Sequence, residues 1–446
     1  MQTKTTISLS DHFTYKRLLR FVLPSIFMMV FTSIYGVVDG FFVSNFLGKS
    51  ALAAVNLIWP VFMIMGAIGF MIGAGGTSII SQALGEDNEE RANNNFSLFT
   101  YTAFAIGLVL AVLGIVFIKD ICHAIGATGK VYDECIRYGI VLFVSLPFFM
   151  WQNMFQSFLV TAEKPNLGMW FTIIAGVINM GLDYLFIGPL NMGVAGAGLA
   201  TSLSQIAGGL VPFLYFLFWN KSRIRLVRCY FDWNALLRAF ANGSSELVSN
   251  VSSSIIGILY NLQLLKYAGE NGVAAYGVLM YVNFVFVSIL IGYSVGIAPL
   301  IGYNHGAQNH KELRGLFSKS MRIVPITGIT MTILCFISAP LIAKIFVGYD
   351  EELCAMTIHA FRISSILFSF CGFPVFGSSL FTSLGNGFVS ATISFVRTFL
   401  MQIVAIYLLP LVFGIDGIWM SAVVADIFAF LMTMIFIVKY KSRYHY

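Results

Sequence analysis

An isolated carboxylate marks the first long apolar segment of the chain. Asp39 lies in the stretch 34–48, which ends an apolar run that begins near Phe21. A carboxylate at the centre of a membrane-spanning helix costs about 2.5–3.5 kcal/mol on insertion scales, so it should face a polar cavity or a helix-bundle interior. Tyr35 precedes it by four residues on the same helical face and can donate a hydrogen bond to it. The alternative is a structural Asp that pairs with a neighbouring helix.

A second carboxylate, Asp183, has polar neighbours at helical spacing. Asn179 precedes it by four residues, and Thr201 precedes Gln205 by the same interval. Desolvation disfavours the charged form of a buried carboxyl group, and two close carboxyl groups titrate as a coupled pair. The cation-coupling residues that we predict are Asp39, Asp183, Asn179, Thr201 and Tyr35.

This predicted site has two interpretations that the residues leave open. It can act as a proton relay, or it can bind Na⁺ through the oxygens of Asp39, Asp183, Asn179 and Thr201. Asn179 and Thr201 can also serve only to stabilise helix–helix contacts, at about 0.6 kcal/mol each. We expect no cofactor besides the coupling ion.

Other polar or adaptable residues inside apolar segments are weaker candidates for contact with a substrate. Methionine adapts to varied ligand shapes, and aromatic faces attract organic cations. The predicted substrate-binding residues are Asn153, Gln156, Met154, Gln205, Glu246 and Asn261. For Glu246 the alternative is a carboxylate that only stabilises the first turn of its helix.

Two opposite charges, Arg397 and Asp426, occur within the last two apolar segments. An unpaired charge inside a membrane protein is costly. We therefore predict an internal ion pair that holds the second half of the chain together, with substrate contact as the alternative.

The composition indicates an integral membrane protein. The 446 residues are 58% hydrophobic and 10% charged, whereas soluble globular domains carry about 25% charged residues. The apolar run that follows Arg20 is too long for the core of a cleavable signal peptide. The six cysteines and six histidines are scattered, which indicates neither a metal site nor a disulfide framework. The net charge of +6 does not indicate nucleic acid, because the basic residues flank the apolar segments.

The positions of these residues depend on the apolar segments that carry them, and a membrane-spanning helix needs about 20 apolar residues. On this rule the chain is all-α, with twelve transmembrane spans. They cover approximately residues 18–46, 53–84, 96–118, 132–161, 166–188, 194–219, 244–267, 273–304, 320–343, 356–383, 389–411 and 417–438.

The basic residues predict the orientation of the spans. With the N-terminus inside, eighteen Lys and Arg residues fall on the inner side and five on the outer side. The positive-inside rule then places both termini in the cytoplasm. The most basic connection, 220–243, is predicted to be a cytoplasmic linker between an N-terminal lobe, 1–219, and a C-terminal lobe, 244–446.

The two lobes are predicted to be repeats. An offset of 221 residues takes Gly48 to Gly269 and Gly85 to Gly306. Six spans per lobe give both copies the same orientation, so they should be related by an axis along the membrane normal, with a binding cavity near the midplane.

The acidic residues break this repeat. Asp39 maps to Tyr260, and Asp183 maps to Val404. The first lobe therefore carries carboxylates that the second lobe lacks at these positions, and we predict that charge is handled in the first lobe.

The motifs together resemble the multidrug and toxic compound extrusion (MATE) family, in its bacterial multidrug-exporter branch, over essentially the whole chain. The residues that carry the resemblance are Pro24 with 38–43, 47–48 and 53–55, Asn179 with 182–184, 193–201, 273–277, 299–306 and 414–419. The resemblance implies two six-helix bundles in a V-shaped pair, open outward or inward. It also implies that Asp39, Asp183, Asn179 and Thr201 serve cation coupling. Some branches use a carboxylate in span ten, and this chain has none between Met356 and Leu384.

We predict a secondary active antiporter of the cell membrane that exports amphipathic organic cations in exchange for H⁺ or Na⁺ and confers drug resistance. Its expected partners are small organic cations and the lipid bilayer, not nucleic acid, and we expect a monomer. The alternative is a lipid-linked oligosaccharide flippase of the same superfamily, which would need a large basic cavity. An intramembrane enzyme is disfavoured because no catalytic dyad has suitable spacing. A channel is also disfavoured, because two repeats around a titratable site suit alternating access better.

Overall fold

The structure is a computed structural model that describes residues 7–446. Lys4, which contributes to the predicted orientation, lies outside the described residues. So do the side chains of Phe41, Ser44, Asn45 and Lys49.

The described chain is built from α-helices joined mostly by short turns. Their bounds are α1 (Tyr15–Phe46), α2 (Lys49–Gly85), α3 (Glu89–Val116), α4 (Ile118–Ala124), α5 (Gly129–Val144), α6 (Leu146–Thr161), α7 (Pro165–Ile187), α8 (Gly193–Leu214), α9 (Trp233–Gly306), α10 (His310–Val347), α11 (Glu351–Ser364), α12 (Leu367–Ser383), α13 (Gly387–Phe395), α14 (Met401–Phe413) and α15 (Ile415–Tyr444). Short π-helical turns, Tyr215–Trp219 and Val396–Leu400, extend α8 and link α13 to α14.

The longest helix, α9, contains two membrane spans. Gly269 interrupts it with φ 61° and ψ −149°, a conformation that side chains other than glycine rarely adopt. The rings of Tyr260 and Tyr276 stack with their centroids 4.9 Å apart, whereas 16 residues of continuous helix would separate them by about 24 Å. The chain therefore reverses at Gly269, as it does at the repeat-related Gly48, where φ is 80°.

The span count follows from these breaks. Nine described helices are long and apolar enough to cross a membrane, and two bent pairs, α5 with α6 and α11 with α12, qualify as one span each, with bends of 54° and 48°. Counting α9 twice gives twelve spans, as predicted. The two bends are repeat-related, because they lie at Ser145 and next to Ile366.

The turns after α2 and before α10 show the predicted offset in detail. Asp87 and Gln308 both have positive φ, 56° and 54°. The next residues, Asn88 and Asn309, both cap the following helix by accepting a hydrogen bond from a backbone N–H three residues later. Both halves of the chain therefore use the same local devices.

The connection between the lobes is shorter than predicted. Asp232 accepts a hydrogen bond from the N–H of Ala235 at 3.0 Å and caps α9, which begins at Trp233 rather than at residue 244. The first turns of α9 are amphipathic. Their polar residues lower the local hydropathy, while Leu236 and Ala239 are buried.

Residues 220–232 run as a non-helical segment along the start of α3. Asn93 Oδ1 accepts a hydrogen bond from the N–H of Arg225 at 2.7 Å. Asn94 Oδ1 accepts another from the N–H of Tyr230 at 2.9 Å. Side-chain amides thus satisfy a backbone that has no helical partners.

The hydrophobic core shows how the lobes meet. One end of the bundle carries Asp87, Gln308 and both ends of the described chain, and we name it the terminal end. The opposite end carries Gly48 and Gly269, and we name it the distal end. At the terminal end one cluster contains residues of both lobes, such as Phe158 and Leu300. Among the described residues, the distal end has a separate cluster for each lobe.

Close helix approaches join the lobes at the terminal end. A Cβ atom on Gly243 of α9 would overlap the carbonyl oxygen of Met71 of α2, and it would lie 3.0 Å from the backbone nitrogen of Gly75. Gln82 donates a hydrogen bond to the carbonyl oxygen of Ser383 at 2.7 Å. The lobes are therefore joined at the terminal end and separate into two cores at the distal end.

We predict that Gly243→Leu separates the lobes at the terminal end, because the added side chain cannot fit between α2 and α9 and overpacking costs about 1–3 kcal/mol. Spin labels on cysteines placed at Glu90 and Lys311, in a background without native cysteines, should then lie farther apart than in the parent protein. Double electron–electron resonance would measure this distance. Gly257→Leu on the same helix is the matched control, since a Cβ there meets no atom within 4 Å. An unchanged distance distribution in Gly243→Leu would contradict the prediction.

Candidate functional site

The two carboxylates that the sequence singles out lie together in the first lobe. Asp39 on α1 and Asp183 on α7 lie close enough for their carboxyl groups to interact electrostatically. Asp39 precedes the distal end of α1 by seven residues and Asp183 precedes that of α7 by four, which places them about 10 Å and 6 Å from the helix ends. The pair therefore lies in the distal half of the lobe.

Close packing of α1 against α7 brings the pair together. A Cβ atom on Gly176 of α7 would lie 2.5 Å from the ring of Phe31 and 3.0 Å from that of Tyr35. The missing side chain at Gly176 lets these rings of α1 rest on α7. Asn179 and Asp183 follow Gly176 by three and seven residues, so they share the face of α7 that α1 covers.

Several oxygen atoms of the predicted site are buried without a hydrogen-bond partner. Asp183 is fully buried, and Asn179 is 1% and Thr201 7% exposed. In the part of the chain that the structure describes, no side chain or backbone N–H donates to Asp39 Oδ1, Asn179 Oδ1 or either oxygen of Asp183. Thr201 Oγ1 has no partner there either. Such unsatisfied groups are costly in a protein interior, so they point to a bound species.

The donor set is suitable for a small hard cation. Two carboxylates, an amide oxygen and a hydroxyl are hard oxygen ligands. Among the described residues there is no group of three or more His, Cys, Asp or Glu residues that could hold a metal ion. The oxygen set of Asp39, Asp183, Asn179 and Thr201 therefore fits a proton or Na⁺ better than a transition metal.

Two residues that the sequence analysis did not select belong to this site. Tyr138 of α5 is buried beside both carboxyl groups. Gln152 of α6 lies near the Tyr35 hydroxyl, and its Oε1 has no hydrogen-bond partner in the described chain. The sequence signal for Gln152 was an amide within an apolar span, as for Asn153. Tyr138 carried no signal, because tyrosines are frequent in these spans.

The structure places the predicted substrate residues of α6 and α8 in packed surroundings. Asn153 donates its amide to the carbonyl oxygen of Phe149 in its own helix at 2.8 Å. Met154 is fully buried in the apolar core, and Gln156 is 5% exposed. Gln205 Oε1 accepts a hydrogen bond from the Ser145 hydroxyl at 2.7 Å, at the bend between α5 and α6.

The second lobe has its own buried charges. Arg397 Nε donates to Asp426 Oδ1 at 2.6 Å, and the Asp426 side chain is 2% exposed. The structure thus brings together the two residues that we expected to pair. Glu246 lies within electrostatic range of Arg397. Because α9 begins at Trp233, Glu246 lies in its fourth turn, so the alternative role in the first turn is wrong.

Asn261, the remaining predicted substrate residue, is exposed on α9. Its neighbour Tyr260 occupies the repeat position of Asp39 and donates its hydroxyl to Gln402 Oε1 at 3.0 Å. The second lobe therefore has a satisfied neutral hydrogen bond where the first lobe has two facing carboxyl groups.

Comparison with known proteins gives consistent results over the whole chain. The model of the MatE family matches residues 24–185 and 247–408, one match in each lobe. The multidrug export protein MepA of Staphylococcus saprophyticus is 26% identical over 435 residues, which cover 96% of this chain and 94% of the relative. MepA of Staphylococcus haemolyticus is 25% identical over 432 residues, with coverage of 96% and 94%.

Solved structures share the fold. A crystal structure of MATE in complex with MaL6 superimposes with a TM-score of 0.90 at 24% identity, over 95% of this chain and 96% of that chain. The outward-facing conformation of a multidrug resistance MATE family transporter of the MOP superfamily gives a TM-score of 0.87 at 24% identity, with the same coverage.

We expect Asp39→Asn to stabilise the purified protein at alkaline pH without Na⁺, by about 1–3 kcal/mol, because it removes a repulsive charge and supplies a donor to Asp183. Thermal unfolding in detergent would show a higher Tm. Asp426→Asn is the matched control, and we expect it to lower the Tm. It leaves Arg397 without its carboxylate partner, which should lower the free energy of unfolding by about 3–5 kcal/mol. A lower Tm for Asp39→Asn would mean that its carboxylate has a stabilising partner.

Proposed function

Because the chain belongs to the MatE family, we propose that it is a multidrug efflux antiporter that exports amphipathic organic cations in exchange for H⁺ or Na⁺. The observation that carries this proposal is the facing pair Asp39 and Asp183, whose buried oxygens have no donor in the described chain. The MepA relatives are named as multidrug export proteins. A transporter needs no catalytic group, and we propose no enzymatic step.

The proposed coupling works through charge neutralisation. Without a bound cation the two carboxylates repel each other in a region with little water. A proton or Na⁺ that enters from the distal end neutralises this repulsion and lets α1 and α7 pack more closely. The organic cation, which is attracted by the same charge, is then released.

Helix α1 is suited to transmit this change to the second lobe. It contains Pro24, which removes one backbone hydrogen bond and favours bending there. The hydroxyl of Ser33 donates to the carbonyl oxygen of Phe284 on α9 at 3.4 Å, so α1 contacts the other lobe as well as α7. A change at Asp39 therefore has a direct route to the lobe interface.

Alternating access would then be a rocking of the two lobes. The described state has the lobes joined at the terminal end and separate cores at the distal end, and we propose that it is open to the outside. Each elementary charge that crosses the membrane supplies about 2.3 kcal/mol per 100 mV, so one or two ions can drive uphill export.

The orientation that this mechanism needs places the terminal end in the cytoplasm. The excess of basic residues at that end supports this assignment. We further propose that the protein acts as a monomer in the cell membrane, because each chain contains both lobes and a complete coupling site.

The orientation is tested by labelling single cysteines in a background without native cysteines. A cysteine at Lys130, exposed near the distal end, should react with a membrane-impermeant maleimide in intact cells. A cysteine at Lys311, exposed near the terminal end, should react only in inverted vesicles. The reverse pattern would overturn both the orientation and the direction of transport.

The function is tested by uptake of a fluorescent organic cation into inverted vesicles, under an imposed pH gradient and separately under a Na⁺ gradient. We expect Asp39→Asn to lower the coupled rate at least about tenfold, because an ion can drive the lobes only through its differential affinity for their two states. Asp133→Asn, which removes an exposed carboxylate of the same lobe, should leave the rate unchanged.

The outcomes separate the remaining alternatives. Transport driven by the pH gradient alone would identify H⁺ as the coupling ion, and transport driven by Na⁺ alone would identify Na⁺. Normal transport in Asp39→Asn would overturn the coupling site. Wild-type protein that transports no organic cation under either gradient would favour the flippase alternative, although the acidic pair in the first lobe is unsuited to an anionic pyrophosphate.

A further inference from the structure

A cavity of about 130 Å³ lies at the terminal end of the first lobe, between the start of α1 and the start of α7. On this measure a cavity needs about 10–15 Å³ to hold one water molecule, so this one has room for a phosphate group. The side chains that matter for its chemistry are Arg20, Glu163 and Lys164. None of them belongs to the coupling site.

The two cations of this cavity have no carboxylate partner among the described residues. In the part of the chain that the structure describes, neither Arg20 nor Lys164 forms an ion pair, whereas the nearby Arg17 pairs with Asp11 at 2.5 Å. Glu163 is engaged elsewhere, because its Oε1 accepts hydrogen bonds from the Ser8 hydroxyl at 2.7 Å and the Leu9 N–H at 2.8 Å. Two cations against one carboxylate leave the cavity with a net positive charge.

The start of α7 adds to this preference for an anion. The helix begins at Pro165 without a side-chain cap, and Asn166 lines the cavity. The N-terminal end of a helix carries partial positive charge and favours negatively charged groups. The cavity therefore combines two unpaired cations with a helix N-terminus.

An exposed apolar surface continues from the cavity along both helices. On α1, Leu23 and Phe27 follow Arg20 at helical spacing and are 41% and 58% exposed. On α7, Trp170 and Ile174 follow Asn166 in the same way and are 55% and 51% exposed. In a membrane protein such a surface faces acyl chains, and Trp is enriched where the acyl region meets the head groups.

We propose that this cavity binds the phosphate group of an anionic membrane lipid, with Arg20 and Lys164 as the head-group ligands and the surface along α1 and α7 as the track for its acyl chains. Basic pockets between transmembrane helices are known to suit phosphate head groups. The apolar track favours a lipid over free phosphate. The site does not rest on the proposed transport function, and it can be tested on the purified protein alone.

The test measures lipid binding to the full chain in nonionic detergent by native mass spectrometry, with phosphatidylglycerol and with phosphatidylcholine of the same acyl chains. We expect preferential binding of phosphatidylglycerol. The double substitution Arg20→Gln and Lys164→Gln should weaken it about 30-fold, which corresponds to about 2 kcal/mol for two cations near the head group.

Two control variants keep the result interpretable. The double substitution Arg314→Gln and Lys319→Gln removes two positive charges from the second lobe instead, and it should leave phosphatidylglycerol binding unchanged. Arg20→Lys with Lys164→Arg conserves the charge, should restore most of the binding, and shows that a loss does not come from misfolding.

Three outcomes would overturn the proposal. They are equal binding of the two lipids, unchanged phosphatidylglycerol binding in the Arg20→Gln and Lys164→Gln variant, and equal weakening in the second-lobe control. Displacement of the lipid by equimolar inorganic phosphate would overturn the lipid assignment, because it would show that the apolar track contributes nothing and that the ligand is a soluble phosphate.

Discussion

The facing carboxyl groups of Asp39 and Asp183 are the constraint on which the first lobe depends. Asp183 is fully buried and Asp39 is half-buried, and the described chain supplies no donor to either oxygen of Asp183. Like charges that lie close together repel strongly where water is scarce. A proton or a cation bound there, as we propose, would remove this repulsion and would tie the packing of the lobe to ion binding.

The contrast with the second lobe shows that this arrangement is not a requirement of the fold. The two lobes share an offset of 221 residues in their breaks at Gly48 and Gly269. Yet Tyr260, at the position of Asp39, forms a satisfied neutral hydrogen bond with Gln402. The same backbone thus supports an unsatisfied carboxylate at this position in one lobe and a satisfied neutral hydrogen bond at the equivalent position in the other. This difference is why we assign coupling to the first lobe.

Two glycines determine how closely neighbouring helices approach each other, one at the candidate site and one between the lobes. Gly176 lets the rings of α1 rest on α7 and so brings the two carboxyl groups together. Gly243 lets α9 meet α2 at the terminal end and so holds the lobes together. In a membrane, close packing of this kind replaces the hydrophobic effect as the force between helices. Both the site and the joint therefore depend on backbone approach.

The sequence by itself determined the membrane class, the twelve spans and the repeat, and it singled out the two carboxylates. The class, the spans and the carboxylates rest on a local property, the transfer of a segment or a residue from water to lipid. The repeat rests on glycines that recur at an offset of 221 residues. Hydropathy misplaced the start of α9, because the amphipathic turns after Trp233 look polar on average although one face is buried. The cap at Asp232 was the signal that would have located it.

Only the tertiary structure decided which side chains of different spans meet. It placed Tyr138 and Gln152 at the acidic pair and directed Gln205 to Ser145 at a helix bend. It also decided that the lobes join at the terminal end. These contacts depend on helix rotation, on bends such as the one of 54° between α5 and α6, and on close approaches at glycine. A property summed along one segment contains no information about them, because they arise between segments far apart in the chain.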